Sequence, residues 1–399
     1  MTATDLSGQG TAPHIHNVDL KTARTGSTVL TFNPHSHTLT EVDKALAALT
    51  ARVAALEALV KPTPTPVPAS RPWAAPTVAQ TVAVPASIDG TGATDVAAQL
   101  DALIAAAPNG SLIQFPAGKT YKLSRGLRGL AGKSNLIIDL GGSTLNNVAN
   151  ANASTGDEWW PYEASTFFVK FSDAAPSHIT IRNGDIEAAS PAPGTYQFGE
   201  YAAAFHFQGG TYIEIMDISA MGLFGDFLTL NENAQYVWEH GNTIRDCGRN
   251  SVSVVCASHV LVENDNIGTC GYCVFDVEPE TGSVAGSSDL TFRYCLIDRY
   301  IKDVFFALDG SNSGKPVSNV TVSGNSIGSN ALVSIIGYSG AAKARPSQIR
   351  FSGNTSLEAA AGPVVRCNHV DGVTVTGNTQ PLLSGQFAAF TPDCTGVSQ

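Results

Sequence analysis

Asp276, Glu278 and Asp309 are the residues of this chain best suited to act on a covalent bond. Asp276 and Glu278 alternate within "CVFDVEPE", so on an extended strand they share one face. Asp309 follows in "FALDG", the next segment of the same pattern, and on a stacked sheet would neighbour Glu278. A pair of carboxyls flanking a glycosidic bond hydrolyses it with retention at a separation of about 5–5.5 Å, or with inversion at about 6.5–9.5 Å. Close carboxyls do not all ionise easily, so one pKa rises and that group can act as the general acid. The competing reading is a solvated acidic face with no catalytic task.

Other chemistry finds less in the sequence. No G-x-S-x-G elbow accompanies the scattered histidines, which leaves no Ser/His/Asp nucleophile. A calcium-dependent lyase needs a base above a carboxylate cluster; Lys302 and Arg249 are the available residues. Seven cysteines lie between Cys247 and Cys394, an odd number in one half of the chain, and read as buried thiols rather than a disulfide framework. The single CxxC, Cys270 to Cys273, has no second pair at zinc-site spacing. Trp159, Trp160, Tyr162, Tyr196, Phe198 and Tyr201 fall in two neighbouring loop-like stretches and could form a sugar-stacking wall, or else close the side of the fold.

Two H-x-H pairs, His14 with His16 and His35 with His37, put imidazoles on one side of an extended strand. If three chains meet on an axis, one such pair from each gives a six-nitrogen octahedral cage suited to iron or a similar transition metal. The second pair abuts a heptad seam: Leu39, Val42, Leu46, Leu49, Val53, Leu56 and Val60 alternate steps of three and four, the pattern of a coiled coil. Thr38 and Glu41 form a capping box at its start, and Pro62, Pro64, Pro66 and Pro68 end it. The expected organisation is residues 1–37 with the H-x-H motifs, a trimeric coiled coil over 38–60, a proline-rich linker over 61–85 and a long body over 86–399.

That body must position the carboxylates, and it is repetitive. Two alternating apolar residues followed by a polar turn recur as "ITIRNGDI", "IEIMDISA", "VWEHGNTI", "VLVENDNI", "LTFRYCLI", "VTVSGNSI", "IRFSGNTS" and "VTVTGNTQ". The residue after the turn falls at positions 186, 218, 244, 267, 297, 327, 356 and 380, a spacing that fits one solenoid turn with loops of varying length. A propeller would need longer, four-stranded repeats. Asn242, Asn266, Asn325, Asn354 and Asn378 are expected to stack at one corner. From Ile138 to Ile181 more than one turn's length of chain intervenes, so "NANASTGDEWWPYEAS" reads as an insertion. Aligning the strands after each corner gives an outward column of His206, Thr229, Ser253, Asp276, Ala307, Ser334 and Arg366. Beside it runs a second column of Gln208, Asn231, Val255, Glu278, Asp309, Ile336 and Asn368.

Composition sets outer bounds. The chain has 399 residues, 43% of them hydrophobic and only 14% charged, which suits a folded, turn-rich β architecture. A net charge of -11 without basic stripes argues against nucleic acid or an anionic bilayer as partner and fits a neutral or cationic glycan better. The first thirty residues do not read as a signal peptide and no apolar run is long enough to span a membrane, so the chain is expected to be made in a cytoplasm and to reach the outside by another route.

Two resemblances follow. "IDGTGATDVAAQLDALIAAAPNGSLIQFPAGKTYKL", with a helix from about Asp95 to Ala107 between glycine turns and strands, resembles the opening of the pectate-lyase-like right-handed parallel β-helix family, in which that helix caps the first coil. It implies an all-β parallel β-helix, without implying an enzyme; the aspartate signatures of polygalacturonase-type members are absent. "NPHSHTLTEV" resembles the H-x-H-T-x-x-E-[IV] segment of trimeric tail-spike and tail-fibre proteins of bacteriophages, where such histidines hold metal on the three-fold axis. That resemblance implies a homotrimeric virion protein bound to phage tail or baseplate proteins through its N-terminus, which attaches to host cell-surface polysaccharide and in some cases depolymerises it. A glycan-degrading β-helix enzyme outside any virion is the alternative.

Overall fold

A computed structural model describes residues 14–22, 28–36, 71–149, 164–195, 202–280 and 282–398, apart from 301–304, 309–313, 329–332, 336–343, 357–364, 380–387 and 393. The chain divides into two units, Met1–Thr63 and Pro64–Gln399. In the first, strands His14–Thr22 and Thr28–Ser36 pair antiparallel as a hairpin, with His14 opposite Ser36. His14 and His16 therefore share one strand, and the backbone brings His35 to the same end of the hairpin. His37, the heptad segment and the proline run lie outside the described residues.

The second unit is a parallel β-helix. Each coil contributes a strand to a first sheet, turns a corner into a shorter second strand, then crosses to a third sheet. Ser134–Asp139, Ser177–Ala188, Thr211–Met221, Ala234–His240, Ala257–Glu263 and Ser287–Arg293 are successive members of the first sheet. Phe167–Val169, Phe205–Gln208, Leu228–Asn231, Val252–Val254, Phe275–Val277 and Phe306–Leu308 form the third. Alternate residues point inward and fuse into one column of buried apolar side chains, including Phe167 stacked on Phe205 and Phe275 on Phe292. Strand Gln80–Ala83, within the stretch expected as linker, already belongs to this body and pairs with Ser111–Gln114.

The helix spans Ala97–Ala106 and covers the open end of the column with Ala97, Leu100 and Ile104. Asp95 Oδ1 accepts from the Ala97 and Ser124 amides, and Asp101 Oδ1 from those of Arg128 and Gly129, tying the helix to the coil at its start and its middle. Ile138 pairs directly with Ile181, so the segment between them belongs to a single coil, as the insertion reading requires. Among the described residues no helix is long and apolar enough to cross a membrane. Six cysteines are buried thiols and Cys394 is half-buried.

The repeat holds with two corrections. Ile186 stacks on Ala220, not Ile218, because the chain from Ser177 to Ala188 and from Thr211 to Met221 runs through the corner without the turn that the other coils make. At the corner itself the rung falls two residues before the inward isoleucine, which places Asp265 there and turns Asn266 out to solvent. Asn242 Oδ1 accepts from Ile218 N, Asp265 Oδ1 from Asn242 N, Asn325 Oδ1 from Cys295 N, Asn354 Oδ1 from Asn325 N and Asn378 Oδ1 from Asn354 N, all at 2.7–3.0 Å.

Beside Asp265 stands a residue that periodicity places in the core. Glu239 lies in register between Ile215 and Val262, points inward and is fully buried. Its Oε1 accepts from Asn242 Nδ2 at 2.6 Å, and its neighbouring carboxyl is that of Asp265. Burial pushes both carboxyls up, Glu239 further raised by the Asp265 charge and Asp265 reaching about 7. The pair thus holds a proton at neutral pH. In the unfolded chain both groups titrate near 4. The folded state keeps a proton that the unfolded state has released, so stability falls as pH rises from about 4 through the folded pKa. Glu239→Gln supplies a neutral side chain that keeps an acceptor for Asn242 and offers donors to Asp265, and should leave stability at pH 4 nearly unchanged while raising it at pH 8 by roughly 1–3 kcal/mol. Urea unfolding of the two proteins at both pH values checks this; equal gains at pH 4 and pH 8 would contradict it.

Candidate functional site

On the third sheet the inward residues are Phe205, Phe207, Leu228, Leu230, Val252 and Val254, which leaves their alternates facing out. The Cα register pairs His206 with Thr229, Thr229 with Ser253, Ser253 with Asp276 and Asp276 with Ala307, the outward column that the strand alignment predicts. In a separate three-stranded sheet further along the chain, Ser334 pairs with Arg366. Glu278 continues the Phe275–Val277 strand by one residue, its amide bonded to Val254 O.

A second corner ladder, not foreseen from the sequence, fixes these side chains. Two residues before the third-sheet strands stand Asp226, Asn250 and Cys273. Asp226 Oδ1 accepts from Asn250 N at 2.9 Å, and Asn250 Oδ1 from Cys273 N at 2.9 Å. The Asn250 amide group also reaches outward, donating to Ser253 Oγ at 2.8 Å and to Asp276 Oδ2 at 3.2 Å. Thr229 Oγ1 donates to Asp226 Oδ2 at 3.0 Å. Just before Asn250 the coils approach closely: a Cβ on Gly248 would sit 2.0 Å from Phe224 O, so only glycine allows the crossing that presents Arg249.

Arg249 joins the two aspartates. Its Nη1 lies 3.6 Å from Asp226 Oδ2, its Nη2 3.9 Å from Asp276 Oδ2, and its guanidinium 5.9 Å from the centre of the Tyr272 ring. Asp226 is wholly buried; burial pushes its pKa up, and Arg249 with hydrogen bonds from Ser253, Asn250 and Thr229 draws it back down. Asp276 is 5% exposed. With Arg249, Ser253, Glu278 and Glu280 it lines a small cleft on the outer face of the sheet. Glu278 and Glu280 are half-buried at its edge. Arg249 is the only cation among the described lining residues, so the cleft is acidic.

Of the expected site residues, the fold brings Asp276 and Glu278 to this cleft. Asp309 lies outside the described residues, as do Trp159, Trp160, Tyr162, Tyr196, Phe198, Tyr201 and Lys302. Among the described residues no group of three or more His, Cys, Asp or Glu side chains is placed to hold a metal ion. Asp226, Asn250 and Glu280 were missed. The signal for the first two is present in "GDFLTL" and "RNSVSV", where a polar residue precedes each aligned strand by the same two positions. Arg249, one of two bases considered for a lyase, proves to be the residue between the aspartates. As a guanidinium it stays protonated and orients charge rather than removing a proton.

The class is a right-handed parallel β-helix, as comparison with solved structures shows. The exopolygalacturonase of family 28 from Yersinia enterocolitica matches over 80% of this chain and 78% of its own at a TM-score of 0.52 and 13% identity, a likeness of fold. The tailspike protein of E. coli bacteriophage HK620, solved in complex with pentasaccharide, matches over 78% of this chain and 62% of its own, with a TM-score of 0.48 and 14% identity. PfbA, a surface adhesin of Streptococcus pneumoniae, matches over 75% and 90%, with a TM-score of 0.47 and 12% identity. No family model matches the sequence, and no curated protein does.

Removing the Arg249 cation leaves two buried carboxylates without the positive charge between them. Arg249→Met should destabilise the body by about 3–5 kcal/mol. The loss should be larger at pH 8 than at pH 5, because Asp226, its folded pKa raised further, resists the ionisation that the unfolded chain undergoes freely. Thermal unfolding of the variant across that range checks both the size and the direction.

Proposed function

We propose that this chain is a glycan-recognition protein whose β-helix body holds a neutral or amino-sugar polysaccharide in the cleft of Asp276, Glu278, Glu280 and Arg249. The observation that carries the reading is the cleft itself. Three carboxylates surround a single guanidinium that Asp226 and Asp276 already engage. A polyanionic chain would meet like charge there, whereas hydroxyl and amino groups find acceptors. The β-helix fold is compatible with such a role and does not by itself assign it.

Hydrolysis is the second reading, favoured by the spacing of Asp276 and Glu278. Alternate residues on a strand lie about 6.6 Å apart along the chain, inside the about 6.5–9.5 Å that an inverting hydrolase uses. Asp276, hydrogen-bonded by Asn250 and next to Arg249, is suited to take a proton from water. Glu278, half-buried at the rim, would deliver one to the departing sugar oxygen. Glu278→Gln should then abolish new reducing ends from host capsular or cell-wall polysaccharide while retention of that polysaccharide by the protein persists. Unchanged cleavage would remove Glu278 from the mechanism, and retention without cleavage by the unaltered protein would leave the cleft as a binding site alone.

The N-terminal region extends the proposal to a homotrimeric tail spike or tail fibre of a phage virion. The heptads over 38–60 and the paired H-x-H motifs support a three-fold assembly holding iron or a similar metal through His35 and His37, with His14 and His16 as a second pair. The hairpin register, which gathers His14, His16 and His35 at one end, is compatible with such a site. Three joined bodies would gain avidity for a repeating glycan without tight single sites. Elemental analysis of the full chain should find a transition metal that is lost in His35→Ala/His37→Ala, with a lower melting temperature of the trimer. A trimer without metal, or one indifferent to the double substitution, would overturn the metal assignment.

A further inference from the structure

Phe171 is 64% exposed, the most exposed large apolar side chain among the described residues. It follows strand Phe167–Val169, at the corner where the chain leaves the third sheet. Its amide donates to Gln208 Oε1 at 3.1 Å, so the next coil holds the corner in place. Continuing the register of Val169 with Phe207 puts Gly209 opposite Phe171. A Cβ there would find only the Glu232 carbonyl oxygen within 4 Å, at 3.7 Å, and Gly210 follows. No side chain from that stretch of the next coil rises over the ring; the neighbouring Lys170 places its Nζ 6.0 Å from the ring centre.

The same register draws a line from this corner to the cleft. Lys170, Gln208, Asn231, Val255 and Glu278 succeed one another coil by coil on the outer face. Gln208, Asn231 and Val255 form the middle of this line, each 8% exposed. Four coil spacings separate Lys170 from Glu278, about 19 Å, room for roughly four sugar rings laid along the helix axis.

We propose that this row is an extended glycan groove, in which Phe171 stacks against the apolar face of a distal sugar and Gln208, Asn231 and Val255 form the floor beneath the intervening rings. The inference rests on the glycan reading of the cleft and names the length and direction of chain it takes: a neutral or amino-sugar oligosaccharide of at least four rings, parallel to the solenoid axis. A flat, mostly apolar ring with one exposed face recognises pyranose C–H groups without fixing their linkage. Specificity then resides at the acidic end, and Phe171 contributes reach.

The test is binding of the full chain to an array of neutral and amino-sugar oligosaccharides, graded from disaccharide to octasaccharide. Affinity should climb with length until about the pentasaccharide. Phe171→Ala should weaken the longer members about three- to tenfold, the equivalent of about 0.7–1.4 kcal/mol, and leave the disaccharide unaffected; Phe171→Trp should restore them. Phe171 is exposed, so its truncation should leave the melting temperature in place, which the same preparations can verify. An alanine variant indistinguishable from the unaltered chain on long glycans, or equally weakened at every length, would overturn the groove while the glycan reading stands. Silence of the unaltered chain across the whole array would overturn both.

Discussion

A parallel β-helix depends on satisfying backbone polar groups at its corners. Along the strands each N–H and C=O finds its partner in the neighbouring coil, but where the chain turns the ladder stops and buried groups would be left at a cost of about 1–3 kcal/mol each. Here side chains take over. Asn354 shows the device complete: Oδ1 accepts from the Asn325 amide, while Nδ2 donates to Val322 O and to Asn378 Oδ1, each near 2.9–3.0 Å. Asparagine suits the task because it carries both donor and acceptor. Asp265 has no amide donor to offer, and the Asn242 amide group turns instead to inward-facing Glu239. At Cys295 the thiol turns instead to Arg293 O, and the side-chain ladder is interrupted there.

The candidate site grows from the same constraint. The ladder of Asp226, Asn250 and Cys273 first exists to satisfy a corner. Asn250 has two amide hydrogens, and those not needed by the corner point out of the fold toward Ser253 and Asp276. A rung is held by the stacked coils on either side, so the carboxylate it bonds is held as well. Arg249 is next in the chain, placed by the close coil crossing at Gly248. Rigidity at the cleft follows from the way the solenoid closes its turns, with no separate framework needed.

The legibility of these features in the sequence follows the range of the interactions. Alternation along strands is local, so the outward column through His206, Thr229, Ser253 and Asp276 could be aligned by pattern. The helix over Ala97–Ala106 announced itself by a continuous apolar stretch between two turns. Ile218 misled because Ala220, the residue that stacks on Ile186, is too small to stand out where a bulky residue was sought. Asn266 misled because "NDN" offers three candidate rungs, and only the pairing of Asn266 with Thr243 in the adjacent coil decides among them. Glu239 was invisible for a stronger reason: an ionisable side chain pointing into a hydrophobic column violates the alternation rule, and its compensation lies in Asn242 and Asp265 of the same and the next coil. Phe171 could not be separated from core phenylalanines by composition, since its exposure depends on Gly209 one coil away.

The outer faces of the first and third sheets are also not equivalent, and the difference bears on where a ligand can sit. Across the first sheet the chain lays its own segment: Arg71 pairs with Glu214, and Trp73 meets Tyr212, Tyr236 and Trp238 edge-on at 5.9–6.4 Å. The rings there are already occupied by one another. His178, Tyr212, Tyr236 and His259 stack in sequence at 4.5–4.8 Å, each held at a positive φ of 53–57° that turns its side chain into the column. Non-glycine residues adopt that conformation at a cost of roughly 1–2 kcal/mol each, which the ring contacts help to offset. Such a face has its aromatic surfaces filled. On the third sheet, by contrast, Phe171 is 64% exposed with Lys170 Nζ 6.0 Å from its ring centre, and the acidic cleft lies at the far end of the same row. A polysaccharide seeking apolar faces and hydrogen-bonding groups finds them together only on that side.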